Sequence, residues 1–279
     1  MPGGRNGPVP APPTLTESDM DLGISGRTAL ITGAGGGIGS ETARSLAAEG
    51  AHVTLTDLDA GLLGAVAEET GGRAQAADLS TPEGALDLMN AVGREFDILV
   101  HAAGVTGAKG DPLQMTEEDW EHAWQTDFMS AVRLSRHLGP GMVRRGWGRM
   151  VFVTSENVAQ PYPDETVYNA AKSALLSFSK SVAMAHAGAG LRVNCVAPAF
   201  IETPMTDGMM DRLAESKGIS RDEAVAGFLE TDRPFLTLRR RGRPEEVAPV
   251  IALLCSEHAS FVSGSNWRVD GGSVGSIET

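Results

Sequence analysis

The chain has 279 residues, 42% hydrophobic and 21% charged, enough apolar material for a proper core in a water-soluble globular protein. Its formal net charge of −13 argues against nucleic acid or an anionic membrane as partner, because phosphate-rich surfaces select for basic proteins. No stretch approaches the roughly 18 uninterrupted apolar residues that a membrane helix needs; the longest, "VAPVIALLC" at 247–255, is broken by Pro249.

Residues 1–24, "MPGGRNGPVPAPPTLTESDMDLGI", carry five prolines and four glycines with few large apolar groups, which predicts a flexible tail. It has no apolar core segment of the kind a secretory signal needs. From Arg27 onward, short apolar runs alternate with longer helical stretches: "TALIT" (28–32), "HVTLT" (52–56), "DILVH" (97–101), "MVFVT" (150–154) and "LRVNCVA" (191–197). Runs of this length without polar alternation suit strands covered on both faces. Gly71-Gly72 closes the helix before the third strand, Ser80-Thr81-Pro82-Glu83 reads as a capping box with proline in the first turn of the next helix, and Thr116-Glu117-Glu118-Asp119 starts another. Strand and helix in alternation imply an α/β fold, a parallel sheet with helices on both faces. With no internal repeat and no linker, residues 25–279 read as one domain. Cys195 and Cys255, 60 residues apart, form neither a disulfide framework nor a zinc pattern, which fits a reducing, cytoplasmic setting. The six histidines show no metal-ligand spacing, so no metal is expected.

The first strand runs into "TGAGGGIG", Thr32 to Gly39. Glycines serve where a chain turns tightly and where backbone must approach a phosphate, and the following helix would aim its amides at that anion. Gly33, Gly35, Gly36, Gly37, Ile38 and Gly39 are therefore candidate dinucleotide-binding residues. Asp57 ends the second strand 18 residues past Gly39, where a carboxylate can accept hydrogen bonds from an adenosine ribose. The same carboxylate would repel a 2′-phosphate, and residue 58 is leucine rather than a basic residue. NAD is favoured over NADP.

Tyr168 stands four residues before Lys172 in "TVYNAAKSALL", so on a helix phenol and ammonium share a face. A neighbouring cation favours phenolate, which would bring a tyrosine into range for proton transfer. Together with "TGAGGGIG" upstream and Ser155 placed 13 residues before Tyr168, the chain resembles the classical short-chain dehydrogenases/reductases over about residues 26–275. Further matching segments are "DL" at 78–79, "AAG" at 102–104, "RVNCVAPAFIETPM" at 192–205 and "RPEEVAPVIALLCSEHASFVSGSNWRVDGG" at 243–272. The resemblance implies a Rossmann-like, doubly wound sheet of about seven strands, and a hydride transfer between NAD(H) and a secondary alcohol or ketone. It implies that Tyr168 moves the proton and that Ser155 hydrogen-bonds the reacting oxygen. Lys172 would bind the nicotinamide ribose and lower the phenol pKa. Asp78 and Leu79 would meet the adenine, and Ala103, Gly104, Pro198, Ile201 and Thr203 would meet the rest of the coenzyme. Members are usually tetramers or dimers built on the two long central helices, here 116–145 and 166–187; Trp120 and Trp124 belong either to such a contact or to the core.

Three positions depart from the family pattern. Asp127, 28 residues before Ser155, stands where an asparagine usually completes the catalytic set. His101-Ala102 replaces an Asn-Asn pair, and Ala199 replaces a glycine. The first departure leaves open an alternative: a dinucleotide-binding regulatory or scaffolding protein with impaired catalysis. An epimerase of nucleotide-linked sugars trails, since its glycine motif and longer substrate domain are absent. Residues 204–240 resemble the family's substrate lid, and Met205, Met209, Met210, Leu213, Phe228 and Leu229 either line an apolar pocket or pack the lid down. Glu156 is expected to face the pocket, and Arg239, Arg240, Arg241 and Arg243 read as a solvated face. The identity of the substrate is not written in these residues.

Overall fold

A computed structural model describes residues 21–277. Among them, β1 (Thr28–Thr32), β2 (His52–Thr56), β3 (Arg73–Ala74), β4 (Ile98–His101), β5 (Gly148–Val153), β6 (Leu191–Pro198) and β7 (Asn266–Val269) form one sheet of order β3-β2-β1-β4-β5-β6-β7. Every pairing is parallel. The expected seven-stranded, doubly wound parallel sheet is therefore present. β3 is only two residues long and exposed, so it carries none of the apolar signal that marks the other early strands.

Helices cover both faces. On one side α1 (Gly37–Ala48), α2 (Leu63–Thr70) and α9 (Pro244–Cys255) pack on Ile31, Leu55, Val100 and Val196. On the other, α3 (Pro82–Val92), α5 (Ser130–Arg145) and α6 (Thr166–His186) enclose Leu30, Leu99, Phe152 and Val193. α3 is capped by Thr81 rather than by a box of Ser80 with Glu83: the Thr81 side chain accepts from the Gly84 amide, one residue later than expected. α4 (Glu117–Ala123) begins with a capping box of Thr116 and Asp119. Between α4 and α5 the chain winds as a π-helix over Trp124–Met129. Such one-turn widenings occur frequently at functional sites, and this one carries Asp127.

The segment 204–240 folds as α7 (Pro204–Lys217), α8 (Arg221–Thr231) and a connecting loop. Its apolar residues gather mostly on themselves: Met210, Phe228, Leu229 and Leu236 join Phe200 in a small separate core, with Met209 and Leu213 against it. Five of the six candidate pocket residues thus pack the segment down.

Residues 1–20 of the expected flexible tail lie outside the described residues. The last four tail positions are described, and two of them are not tail-like: Leu22 and Ile24 are buried in the core beside α1 and α9. The Leu22 amide donates to Glu49 Oε2 at 3.3 Å, its carbonyl accepts from the Glu257 amide at 3.0 Å, and the Asp21 carbonyl lies 2.7 Å from a His258 ring nitrogen. Nearby, the guanidinium groups of Arg27 and Arg149 lie 3.8 and 4.3 Å from the Trp147 ring centroid, while the indole N–H donates to Glu257 at 2.7 Å. These fastenings sit at the amino ends of the strands. The boundary drawn at residue 24 from proline and glycine content falls too late for Leu22 and Ile24, because a short alternating apolar triplet is lost inside that composition.

No helix among the described residues is long and apolar enough to cross a membrane.

Candidate functional site

The carboxyl ends of the strands meet in a cavity of about 170 Å³. One wall is the glycine turn after β1. Gly33 has φ +63, and a Cβ there would stand 2.7 Å from the Ala103 nitrogen. The Ala103 amide donates to Thr32 Oγ1 at 3.1 Å, tying this turn to the loop after β4. At Gly39 a Cβ would fall 2.1 Å from the Gly33 carbonyl oxygen, so only glycine lets α1 start this close to its own turn. α1 is capped by Gly36 with no side-chain hydrogen bond and has no acidic residue in its first turn. Bare helix-start amides beside a cavity fit a pyrophosphate.

Gly33, Gly36, Gly37, Ile38 and Gly39 line this cavity; Gly35 and Asp57 lie next to it, with the Gly35 amide donating to Asp57 Oδ2 at 3.0 Å. Asp57 is thus held beside the glycine turn. Ala103, Asp78 and Leu79 are not part of the cavity wall, while Gly104, Pro198, Ile201 and Thr203 are. Thr203 also caps α7 through a capping box with Thr206, so its capping role and its place in the wall coexist.

The opposite wall brings Ser155, Tyr168 and Lys172 together. Ser155 follows β5, where its side chain accepts from the Asn157 amide and starts a short helical turn over 156–158. Tyr168 and Lys172 are one turn apart near the start of α6, with Lys172 Nζ 5.5 Å from the phenol ring centroid. Lys172 is buried and donates to the Val153 carbonyl at 3.1 Å. The fourth residue, Asp127, approaches from the π-helix: its Oδ1 accepts from the Val105 amide at 2.7 Å, and its Oδ2 is buried without a hydrogen-bond partner. Gly104 separates it from the lysine, since a Cβ there would lie 2.8 Å from Asp127 Oδ1 and 3.1 Å from Lys172 Nζ. Asp127 itself does not line the cavity.

Electrostatics corrects one expectation. The phenol of Tyr168 is pushed up rather than down: burial is the largest cause, the Asp127 carboxylate adds to it, and the Ser155 hydroxyl opposes it. Burial likewise raises the Asp127 carboxyl to about 6, against the pull of Lys172, the Val105 amide and His122. His101 is packed in β4, with a ring nitrogen 2.8 Å from Ser130 Oγ and its pKa lowered to about 3 by burial and by Lys172. It is a neutral core residue that does not reach the cavity.

Two further expectations change. Glu156 does not face the pocket; it is 2% exposed and paired with Arg233 at 3.2 Å, and burial raises its carboxyl. Arg241 is not solvated: it is buried, donates to Asp207 Oδ1 at 2.8 Å and to the Ile201 carbonyl at 3.3 Å, and so clamps the start of α7. Arg240 pairs with Glu246 at the surface. Val105, Val153 and Thr206 join the cavity wall although no motif marks them, and Met205 is the one candidate pocket methionine to do so. Their only signal in the sequence is adjacency to a marked segment. Among the described residues no three His, Cys, Asp or Glu stand together in a way that could hold a metal ion.

Comparison with known proteins turns this geometry into a family. A model described as enoyl-(acyl carrier protein) reductase, of the short-chain dehydrogenase/reductase type, matches residues 33–274. The chain belongs to the short-chain dehydrogenase/reductase family. Within that family it is 36% identical to nodulation protein G of Rhizobium sp. (strain N33) over 258 residues, covering 89% of this chain and 97% of the relative. It is 33% identical to the 3-oxoacyl-[acyl-carrier-protein] reductase FabG of Vibrio cholerae over 265 residues, covering 90% and 98%. Among solved short-chain dehydrogenase/reductase structures, the L-sorbose reductase of Gluconobacter frateurii, complexed with NADPH and L-sorbose, superposes with a TM-score of 0.85 at 34% identity, covering 92% of this chain and 100% of that one.

Proposed function

We propose that the protein is an NAD(H)-dependent oxidoreductase acting on a secondary alcohol or ketone of a small or medium organic substrate. The observation that carries this is the convergence of Ser155, Tyr168 and Lys172 on one cavity whose facing wall is the glycine turn. When bound, the nicotinamide supplies or accepts the hydride. Gly33 to Gly39 and Thr203 hold the phosphates, Asp57 the adenosine ribose, Asp78 and Leu79 the adenine side, and Ala103, Gly104, Pro198, Ile201 and Lys172 the remainder. Ser155 Oγ donates to the substrate oxygen and holds it against the phenol. In reduction, Tyr168 gives its proton to that oxygen as negative charge develops there; in oxidation it takes the proton back. The buried Lys172 ammonium stabilises the phenolate left behind. A phenol pushed up by burial and by Asp127 keeps its proton at neutral pH, so it has one to give when a carbonyl is reduced. Val105, Ala199 and Met205 give the substrate an apolar flank.

Preference for NAD rests on Asp57, which faces the loop with no Lys or Arg among residues 33–39 or at position 58. L-Sorbose reductase, which carries NADPH, makes this the sharpest point of the reading to test. Half-exposed Trp120 and Trp124, each 38% exposed, support a homodimer or homotetramer joined through α4–α5 and α6. Two buried free cysteines support a cytoplasmic setting.

Tyr168→Phe tests the reading directly. Turnover of ketones with NADH should fall by about a thousandfold, while NADH binding, read by fluorescence, stays intact. A phenylalanine variant that still reduces the ketone would remove Tyr168 from the chemistry. Asp127→Asn separates the regulatory alternative: activity found only in that variant would favour it.

A further inference from the structure

Behind Ser155 runs a buried polar chain that the chemistry above leaves unused. Ser155 Oγ donates to Asn157 Oδ1 at 3.0 Å and accepts from the Asn157 amide at 3.2 Å. Asn157 Nδ2 donates to Glu165 Oε2 at 2.6 Å and to Asn169 Oδ1 at 2.8 Å. With both amide hydrogens committed, only Oδ1 is left to face the serine, and the amide has one orientation. Glu165 is gripped in turn: its Oε1 accepts from Lys109 Nζ at 2.6 Å and from Arg233 Nη2 at 3.0 Å. Lys109 Nζ also lies 3.4 Å from Met209 Sδ on α7, and Arg233 follows the end of α8. Asn157 and Glu165 are 3% and 6% exposed. Burying this many polar groups is unfavourable unless each is satisfied, and a satisfied network holds its members rigidly.

The serine hydroxyl carries a single proton, and in this structure Asn157 Oδ1 accepts it. Catalysis needs that proton turned to the substrate oxygen with Oγ kept in place. Asn157 grips Oγ from both sides, as donor through its backbone and as acceptor through its amide. Glu165 and Asn169 anchor the Asn157 side chain, so that when the hydroxyl proton turns to the substrate oxygen the Asn157 backbone amide is still in place to donate to Oγ. Resting on the reading of Ser155 as catalytic, we propose that Asn157 and Glu165 are positioning residues that fix Ser155 Oγ at the reacting oxygen, with Arg233 and Lys109 anchoring Glu165.

A double-mutant cycle on the full chain tests this, using NADH and the ketone turned over fastest in a panel of linear and cyclic ketones. Asn157→Ala is expected to lower kcat by about tenfold with NADH affinity unchanged, and in a Ser155→Ala background the same substitution changes kcat by less than about twofold. Glu165→Gln keeps shape and removes charge; it should lower kcat by about threefold and likewise lose its effect without the Ser155 hydroxyl. It decides the matter if Asn157→Ala does not fold. Equal losses in both backgrounds would mean a merely structural role and overturn the proposal. Wild-type rates in Ser155→Ala itself would instead overturn the reading of Ser155, a separate failure seen before any cycle is closed.

Discussion

The two walls of the cavity are built by opposite means. The wall at the glycine turn is nearly all backbone: glycines that admit no Cβ, a helix start without a capping side chain, and one carboxylate held by a loop amide. The wall around Ser155 and the helices beyond it depends on side chains, with Glu156, Glu165, Lys172 and Arg233 all buried. Backbone recognition relies on shape and needs little charge. The side-chain wall balances several charges in a poorly solvated place, so a single neutralised partner unsettles the rest.

Breaking the backbone wall should have the largest effect after loss of the phenol. Gly39→Ala forces a Cβ into the Gly33 carbonyl, and we expect ~3 kcal/mol or more of stability lost, with NADH binding abolished. Urea unfolding and fluorescence titration would check both. The side-chain wall responds to Arg233→Ala, which leaves Glu156 and Glu165 without their shared guanidinium; ~3 kcal/mol is expected, with a smaller loss for Arg233→Lys. A loss below ~1 kcal/mol would show that the buried charges there are not mutually dependent.

Asp127→Asn acts in the stabilising direction. Because the folded protein holds the Asp127 proton up to about pH 6, while an unfolded aspartate releases it near pH ~4, native stability falls as pH rises through that window. The variant should therefore match wild type below pH ~4 and exceed it by ~1–3 kcal/mol at neutrality, measured by thermal unfolding across pH. Removing that carboxylate also removes one cause of the raised Tyr168 phenol, so the rise of alcohol oxidation with pH should move to lower pH. The smallest effect belongs to Asp57→Ala: about tenfold weaker NAD binding and a narrower gap to NADP, read by thermal shift with each coenzyme. Stronger stabilisation of the wild type by NADP than by NAD would refute the role given to Asp57.

What could be read in the sequence follows the same division. The strands, the glycine turn and the Tyr168–Lys172 pair are local patterns in which spacing fixes geometry. The Glu165–Arg233 and Lys109–Glu165 pairs join residues 68 and 56 positions apart, and nothing in either neighbourhood announces them. Adjacency to Ser155 suggests that Glu156 shares its direction, whereas successive residues in an irregular turn point apart. Arg241 resembles part of a solvated run only because its neighbours are basic. The π-helix around Asp127 has no sequence period of its own. The upward push on Tyr168 follows from burial depth, which a helical spacing does not contain.

The anchoring of Leu22 and Ile24 has a practical consequence. Leu22 and Ile24 are fastened at the amino ends of the strands, the pole remote from the cavity at their carboxyl ends. Immobilising the molecule on a bead or electrode through this pole would therefore leave the cavity mouth directed toward bulk solution.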